Sequence, residues 1–419
     1  MALSLAARNP IVGTMRVVRR ASALLLWAAL FTSRGLFAQH PHIEAVAIPT
    51  TPAELTAALR RPDVRFAQPD LRFAPARPPV KGLYVNAWAF SSPKVWHLIR
   101  LADSTEINAL VVDVKDDTGC LLFPMSVPTA AAVGASACRR AGLADARARL
   151  DSMRAHGIYP IARIVVAKDP LLAAGRPGWA VRHRDGGLWR DRLGSPWLDA
   201  HHDSVWIYAT QIAEEAVRFG FAEVQFDYVR FPDEPPEHRA SAIFAARQGR
   251  ETWRDAVRRQ VRMTTARLAP IGAPVTFDIF GLTATADGDL GIGQVWEDFI
   301  MVADAVLPMV YPSHYAPGAF GYAWPNGEPY GVVRATLRAA LERSRYPGAA
   351  EIRPYLQAFT LGRRRPRYTP HEIRAQIRAA EELGIRSWVL WNPRSVYQRD
   401  ALRPYRETVE PVTLTGSPP

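Results

Sequence analysis

Lysine is almost missing from this sequence. Only Lys81, Lys94, Lys115 and Lys168 occur among its 52 basic residues, and the rest are arginine. The formal charge of +12 therefore sits on an Ala-, Arg- and Pro-rich chain, a bias that genome base composition produces. No basic stripe or helix-turn-helix pattern accompanies it, so nucleic acid is not an expected partner. Cysteine is scarce too: Cys120 and Cys138 are the only two, and their spacing is not that of a metal site. A glycine-rich turn after the first strand-like segment is also lacking. "YVNAWAF" stands there, which excludes the dinucleotide cradle of a doubly wound sheet. The one long apolar run near the start, "ASALLLWAALF" at 21–31, is short for a membrane span.

The surroundings of that run read as export. "MRVVRR" at 15–20 is cationic, the apolar run follows, and "GLFA" ends on Ala38 before "QHPH". Residues 1–38 are expected to be a signal peptide, with Met15 as an alternative start. The protein would then be secreted or periplasmic, with cell-envelope association open to it; an uncleaved membrane anchor is the competing reading. No cysteine ends the run, which argues against a lipoprotein anchor. Cys120 and Cys138 fall in one loop region, and in an oxidising compartment they are expected to pair. Two separate buried thiols are the alternative. Residues 39–80, rich in Pro, Ala and Arg, read as a linker, and 401–419 as a C-terminal tail.

Between residues 81 and 400 apolar strands alternate with amphipathic helices. The strands are "KGLYVNAW", "NALVVDVKD", "YPIARIVV", "EVQFDYVRFP", "APVTFDIFG", "AVLPMVYP", "IRPYLQAFT" and "RSWVLWNP". Short apolar strands separated by helices mean a parallel sheet covered on its outside. Eight such units in about 320 residues have the count and size of an α/β, (β/α)8 TIM barrel.

Chemistry in this fold gathers at the C-terminal ends of the strands. Those ends carry Asn86 and Trp88, Asp113 and Lys115, Arg163, Asp227 and Arg230, and Asp278. The later strands supply Tyr311 with Ser313 and His314, then Gln357, then Trp391 and Asn392. Alternation along a strand puts Asp113 and Lys115 on one face, and Asn86 and Trp88 on another. The Asp113–Lys115 combination could be a structural ion pair or could grip a substrate hydroxyl. Arg163 and Arg230 could neutralise Asp227 and its neighbours. The basic "RRR" at 363–365 follows strand seven without the glycines of a phosphate site, and reads as a solvated loop. Asp227 and Asp278 end neighbouring strands, which lie about 4.8 Å apart. Two carboxyls at that range suit a glycosidase, one as nucleophile and one as acid/base. Asp287 or Asp289 could serve as acid instead. Trp88, Trp179, Trp189, Trp197, Trp324 and Trp391 offer flat apolar faces that fit sugars.

The runs "FDYVRFP", "VLPMVYPSHY", "FGLTAT…GIGQ" and "WVLWNP" resemble the glycoside hydrolase-like family first catalogued as a domain of unknown function, DUF4015. The resemblance covers about residues 81–400. It implies a glycosidase-type TIM barrel, mostly exported by bacteria, acting on a carbohydrate with no cofactor and no metal. It matches Asp227 to the strand-four carboxylate that is the nucleophile in several related glycosidases. Many relatives use a glutamate as partner, where this chain has Asp278 on strand five. Gln357 stands where one large glycosidase group has a catalytic glutamate, which excludes that strand-four/strand-seven mechanism. Two other readings compete. One is a non-catalytic carbohydrate-binding barrel of the cell envelope. The other, a metal-dependent deacetylase, needs two histidines spaced on one element plus an aspartate. Only "DAHHDS" approaches it, and the adjacent His201 and His202 point in different directions.

Overall fold

The computed structural model describes residues 78–361 and 366–405. The expected signal peptide, nearly all of the linker, Arg363–Arg365 and the tail beyond Tyr405 lie outside the described residues. Eight parallel strands close on themselves. They are β1 (Lys81–Val85), β2 (Ala109–Lys115), β3 (Tyr159–Val165), β4 (Glu223–Asp227), β5 (Val275–Phe280), β6 (Ala305–Val310), β7 (Tyr355–Gln357) and β8 (Trp388–Trp391). Each pairs with the next in chain order, and β8 returns to β1 with Lys81 opposite Trp388. The expected (β/α)8 barrel is the observed fold.

The helices that connect the strands among the described residues include α1 (Lys94–Asp103), α2 (Leu143–Ala155), α3 (Asp203–Phe219), α4 (Trp253–Leu268), α5 (Trp296–Ile300), α6 (Pro329–Arg343) and α7 (Pro370–Glu381), with shorter ones in the loops. Their ends follow local chemistry. Thr252 with Asp255, and Thr369 with Glu372, form reciprocal capping boxes at the starts of α4 and α7. Gly220 stops α3 at φ 121°, a conformation that costs a residue without a Cβ least. None of the described helices is long and apolar enough to cross a membrane.

The barrel interior is layered. Tyr84, Val111, Ile161, Leu307, Tyr355 and Val389 form its apolar middle. Toward the N-terminal end of the strands the buried pair Arg353–Glu223 (2.6 Å) fills the interior, and the Thr276 hydroxyl also donates to Glu223. The opposite end is where Asp113, Arg163, Asp227 and Asp278 meet.

Two excursions build on the barrel. Between β2 and α2, Cys120 and Cys138 are bonded, with Cα atoms 5.5 Å apart, as expected. After β3, Ala167, Val181, Trp189 and Trp197 form a small core of their own. Arg182–His183 pairs there with Ala242–Ile243 and ties this loop to the one after β4. Trp189 and Trp197, expected as sugar platforms, are buried in that core. Trp88 and Trp324 are the well-exposed ones.

Candidate active site

In "EVQFD" the apolar Val224 and Phe226 face the helices, while Glu223, Gln225 and Asp227 point into the barrel. β4 stops at Asp227 rather than running on to Pro232. Tyr228 takes a left-handed backbone at φ 54°, which is strained for an aromatic residue. Its N–H donates to Oδ1 of Asp227 at 2.5 Å.

One guanidinium organises the cluster. Arg163 donates from Nη1 to Oδ1 of Asp113 at 2.5 Å and from Nη2 to Oδ2 of Asp227, and its Nε lies 3.5 Å from Oδ2 of Asp278. Oδ2 of Asp113 accepts from the Tyr84 hydroxyl at 2.5 Å. Gln225 donates from Nε2 to Oδ2 of Asp278 (3.0 Å) and to the Tyr355 hydroxyl (2.7 Å). Oδ1 of Asp278 is buried without a hydrogen-bond partner.

One cation cannot offset three carboxylates in a desolvated space, so protons must make up the difference. Burial, and then the charge of Asp227, hold the Asp278 carboxyl well above the usual range, against Arg163 and Gln225. Burial also pushes Asp113 up to about 6, although Arg163 and Tyr84 favour its charged form. Burial works against the charge on Arg163 itself, but Asp113 and Asp227 outweigh it and raise its pKa.

Several expected site residues lie elsewhere. Lys115 does not share a face with Asp113, because the register of β2 against β3 slips between the two. Its Nζ instead meets Asp169 (2.8 Å) and the Val165 carbonyl (2.6 Å), out of solvent. β1 ends before Asn86, which caps the helix Ala87–Ser91 through Oδ1 and bonds the Pro393 carbonyl through Nδ2. Trp88 rides on that helix, 65 % exposed, with the Arg140 guanidinium 4.4 Å from its ring centroid. Gln357 is locked by Ser313, Phe359 and Gln376. Arg230 forms no ion pair with Asp227; Arg163 takes that place. His201 is buried against Asp199 and His202 accepts from the Ser204 N–H, so the pair is spent on structure. Among the described residues no group of three or more His, Cys, Asp or Glu is arranged to hold a metal ion.

Tyr311 and Trp391 do come together, with ring centroids 5.5 Å apart and 28° between planes. Trp391 also packs on Tyr84, and it lines a cavity of about 510 Å³ with His314, Phe359, Tyr368 and Arg394. None of the three aspartates lines that cavity; Trp391, which does, packs on Tyr84, whose hydroxyl donates to Asp113. Exposed His314 stacks edge-on against Tyr311 and Phe359. The partners that sequence reasoning missed are Tyr84, Gln225 and Tyr355. Alternation signals all three, since Tyr84, Gln225 and Tyr355 each sit two residues before a candidate residue: Asn86, Asp227 and Gln357.

The model of the DUF4015 family, described as "Putative glycosyl hydrolase domain", matches residues 82–397. The chain belongs to this family. Similar solved structures include a hypothetical protein from Ruminiclostridium thermocellum, 33 % identical over 47 % of this chain and 96 % of its own, at a TM-score of 0.42. The glycoside hydrolase domain of PelA from Pseudomonas aeruginosa is 15 % identical, covering 76 % of this chain and 97 % of that one (TM-score 0.44). An α-galactosidase from Thermus thermophilus is 17 % identical, with 77 % of this chain and 60 % of that one covered (TM-score 0.43). No curated protein matches the sequence.

Proposed function

We propose that this DUF4015 member is an exported glycosidase that cleaves a poly- or oligosaccharide through two carboxylates, Asp227 as nucleophile and Asp278 as acid/base. The observation that carries this is the opposed setting of the two groups around Arg163. Asp227 accepts from a guanidinium and a backbone N–H, both of which suit an anion. Asp278 is pushed toward its protonated form, with Oδ1 free of any protein partner. Environments that drive two carboxyls apart mark acid and base roles.

In the first step Asp227 bonds to the anomeric carbon while the Asp278 proton passes to the departing oxygen, whose bond to that carbon breaks. In the second, the Asp278 carboxylate takes a proton from water, the water oxygen bonds to the same carbon, and Asp227 is released. Arg163 balances the charge on Asp227 at both ends of the cycle. Tyr311 and Trp391 supply stacking faces beside the carboxylates, and the Cys120–Cys138 bond supports the exported part of the reading.

The test is a library of aryl glycosides followed by Asp227→Asn. Loss of essentially all turnover with an unchanged melting curve is expected. Full activity in that variant sinks the nucleophile assignment. A wild-type protein that binds oligosaccharides and hydrolyses none would be a carbohydrate-binding barrel instead.

A further inference from the structure

Three arginines are buried among the described residues: Arg163, Arg230 and Arg353. Arg163 reaches three aspartates and Arg353 reaches Glu223 and Glu351. Arg230, only 9 % exposed, reaches none. Its one hydrogen bond runs from Nη1 to the Phe231 carbonyl at 3.1 Å. Around it stand three rings, with centroids at 5.0 Å (Trp197), 4.9 Å (Tyr228) and 4.7 Å (Phe280). Such contacts are worth up to about 2 kcal/mol when desolvated, which offsets only part of the cost of burying a cation. Burial accordingly lowers the pKa of Arg230, against the pull of Tyr228 and nearby acids.

Those acids are not free to neutralise it. Asp227 is held by Arg163. Asp191 is saturated by the Trp197 indole, the Leu193 and Ser195 N–H groups and Lys168. Asp233 is exposed and makes no ion pair with it.

The position of this cation gives the surplus charge a use. Phe280 lies two residues beyond Asp278 on β5, on the same face and about 6.6 Å nearer the barrel mouth. Tyr228 directly follows Asp227, and its left-handed turn brings the chain back so that Arg230 sits against both rings. The guanidinium thus stands on the mouth side of the two carboxylates, where a sugar undergoing reaction would carry its ring substituents. A planar guanidinium matches a carboxylate better than it matches a hydroxyl.

We propose that Arg230 receives the carboxylate of an acidic sugar, which makes the substrate a uronic-acid-type glycan rather than a neutral one. This rests on the glycosidase reading for its placement but not for its test. Glucuronate and galacturonate, each against its neutral counterpart glucose or galactose, are titrated into wild type, Arg230→Gln and Arg230→Lys, with binding read by calorimetry and by Trp197 fluorescence. Wild type should prefer an acid over its neutral partner by about tenfold or more, the worth of one charge-assisted hydrogen bond. Arg230→Gln should erase that preference, and Arg230→Lys should keep part of it. Equal binding within both pairs, no binding of either acid, or a preference that survives Arg230→Gln would each overturn the proposal. If Arg230→Gln fails to fold, the wild-type pairs and Arg230→Lys decide. Because no turnover is read, a failure of the glycosidase reading shows separately, as absence of hydrolysis with the binding preference intact.

Discussion

Gln225 donates to one oxygen of Asp278 at 3.0 Å and leaves the other, Oδ1, buried without a partner. A neutral Asp278 therefore has a defined atom from which to give its proton. General acids contribute about 10²–10⁴-fold to rate. Asp278→Asn should lose a factor of that size on alkyl glycosides, whose leaving groups need protonation. Nitrophenyl glycosides, which leave readily, should lose much less. The comparison of kcat/KM across leaving groups checks this. An equal loss on both classes would place the acid elsewhere, with Asp287 and Asp289 the next candidates.

Asp113 should make stability depend on pH in a particular direction. Its carboxyl titrates near 6 in the fold against 3.8 for the free group, so the folded state holds the proton more tightly. The stabilisation from that proton is complete below pH 3.8 and is lost as pH rises through 6. A displacement of this size corresponds to about 3 kcal/mol. Wild type should therefore lose about that much relative to Asp113→Asn between pH 4 and 7, an outcome that denaturant titration at several pH values would measure. A pH-independent difference would mean that Arg163 keeps Asp113 ionised throughout.

Lys115 is expected to matter for folding and not for substrate. Its ammonium is paired with Asp169, whose other oxygen accepts the Leu172 N–H at the start of a short helix. Removing one partner of a buried pair typically costs about 3–5 kcal/mol. Lys115→Met should show that loss in denaturant unfolding, with KM unchanged in whatever folds. A raised KM at full stability would return Lys115 to the binding site.

The barrel itself was legible because eight apolar strands with intervening helices leave few other arrangements; Asp227 ends β4, while Asp278 lies two residues before the end of β5. Departures came where the backbone breaks its own period. A register slip between Asp113 and Lys115 is invisible to a rule that counts every second residue. Nothing about an aromatic side chain announces the positive φ at Tyr228, so Arg230 was read as the neighbour of Asp227 rather than the centre of a ring of aromatics. Asn86 suits a strand end or a helix cap equally well by composition, and only the chain after it decides. Gln225 shares the inward face with Asp227, but an uncharged amide between Val224 and Phe226 gives no sign of chemistry by residue type.

Arg163 serves Asp113, Asp227 and Asp278 at once, which couples these four positions energetically. Residues that share one partner do not change independently. Losing any one acid shifts charge and hydrogen bonds onto the others, and losing the arginine strands all three. Substitutions at these four positions of this chain are therefore expected to be non-additive, each depending on which of the other three is still present.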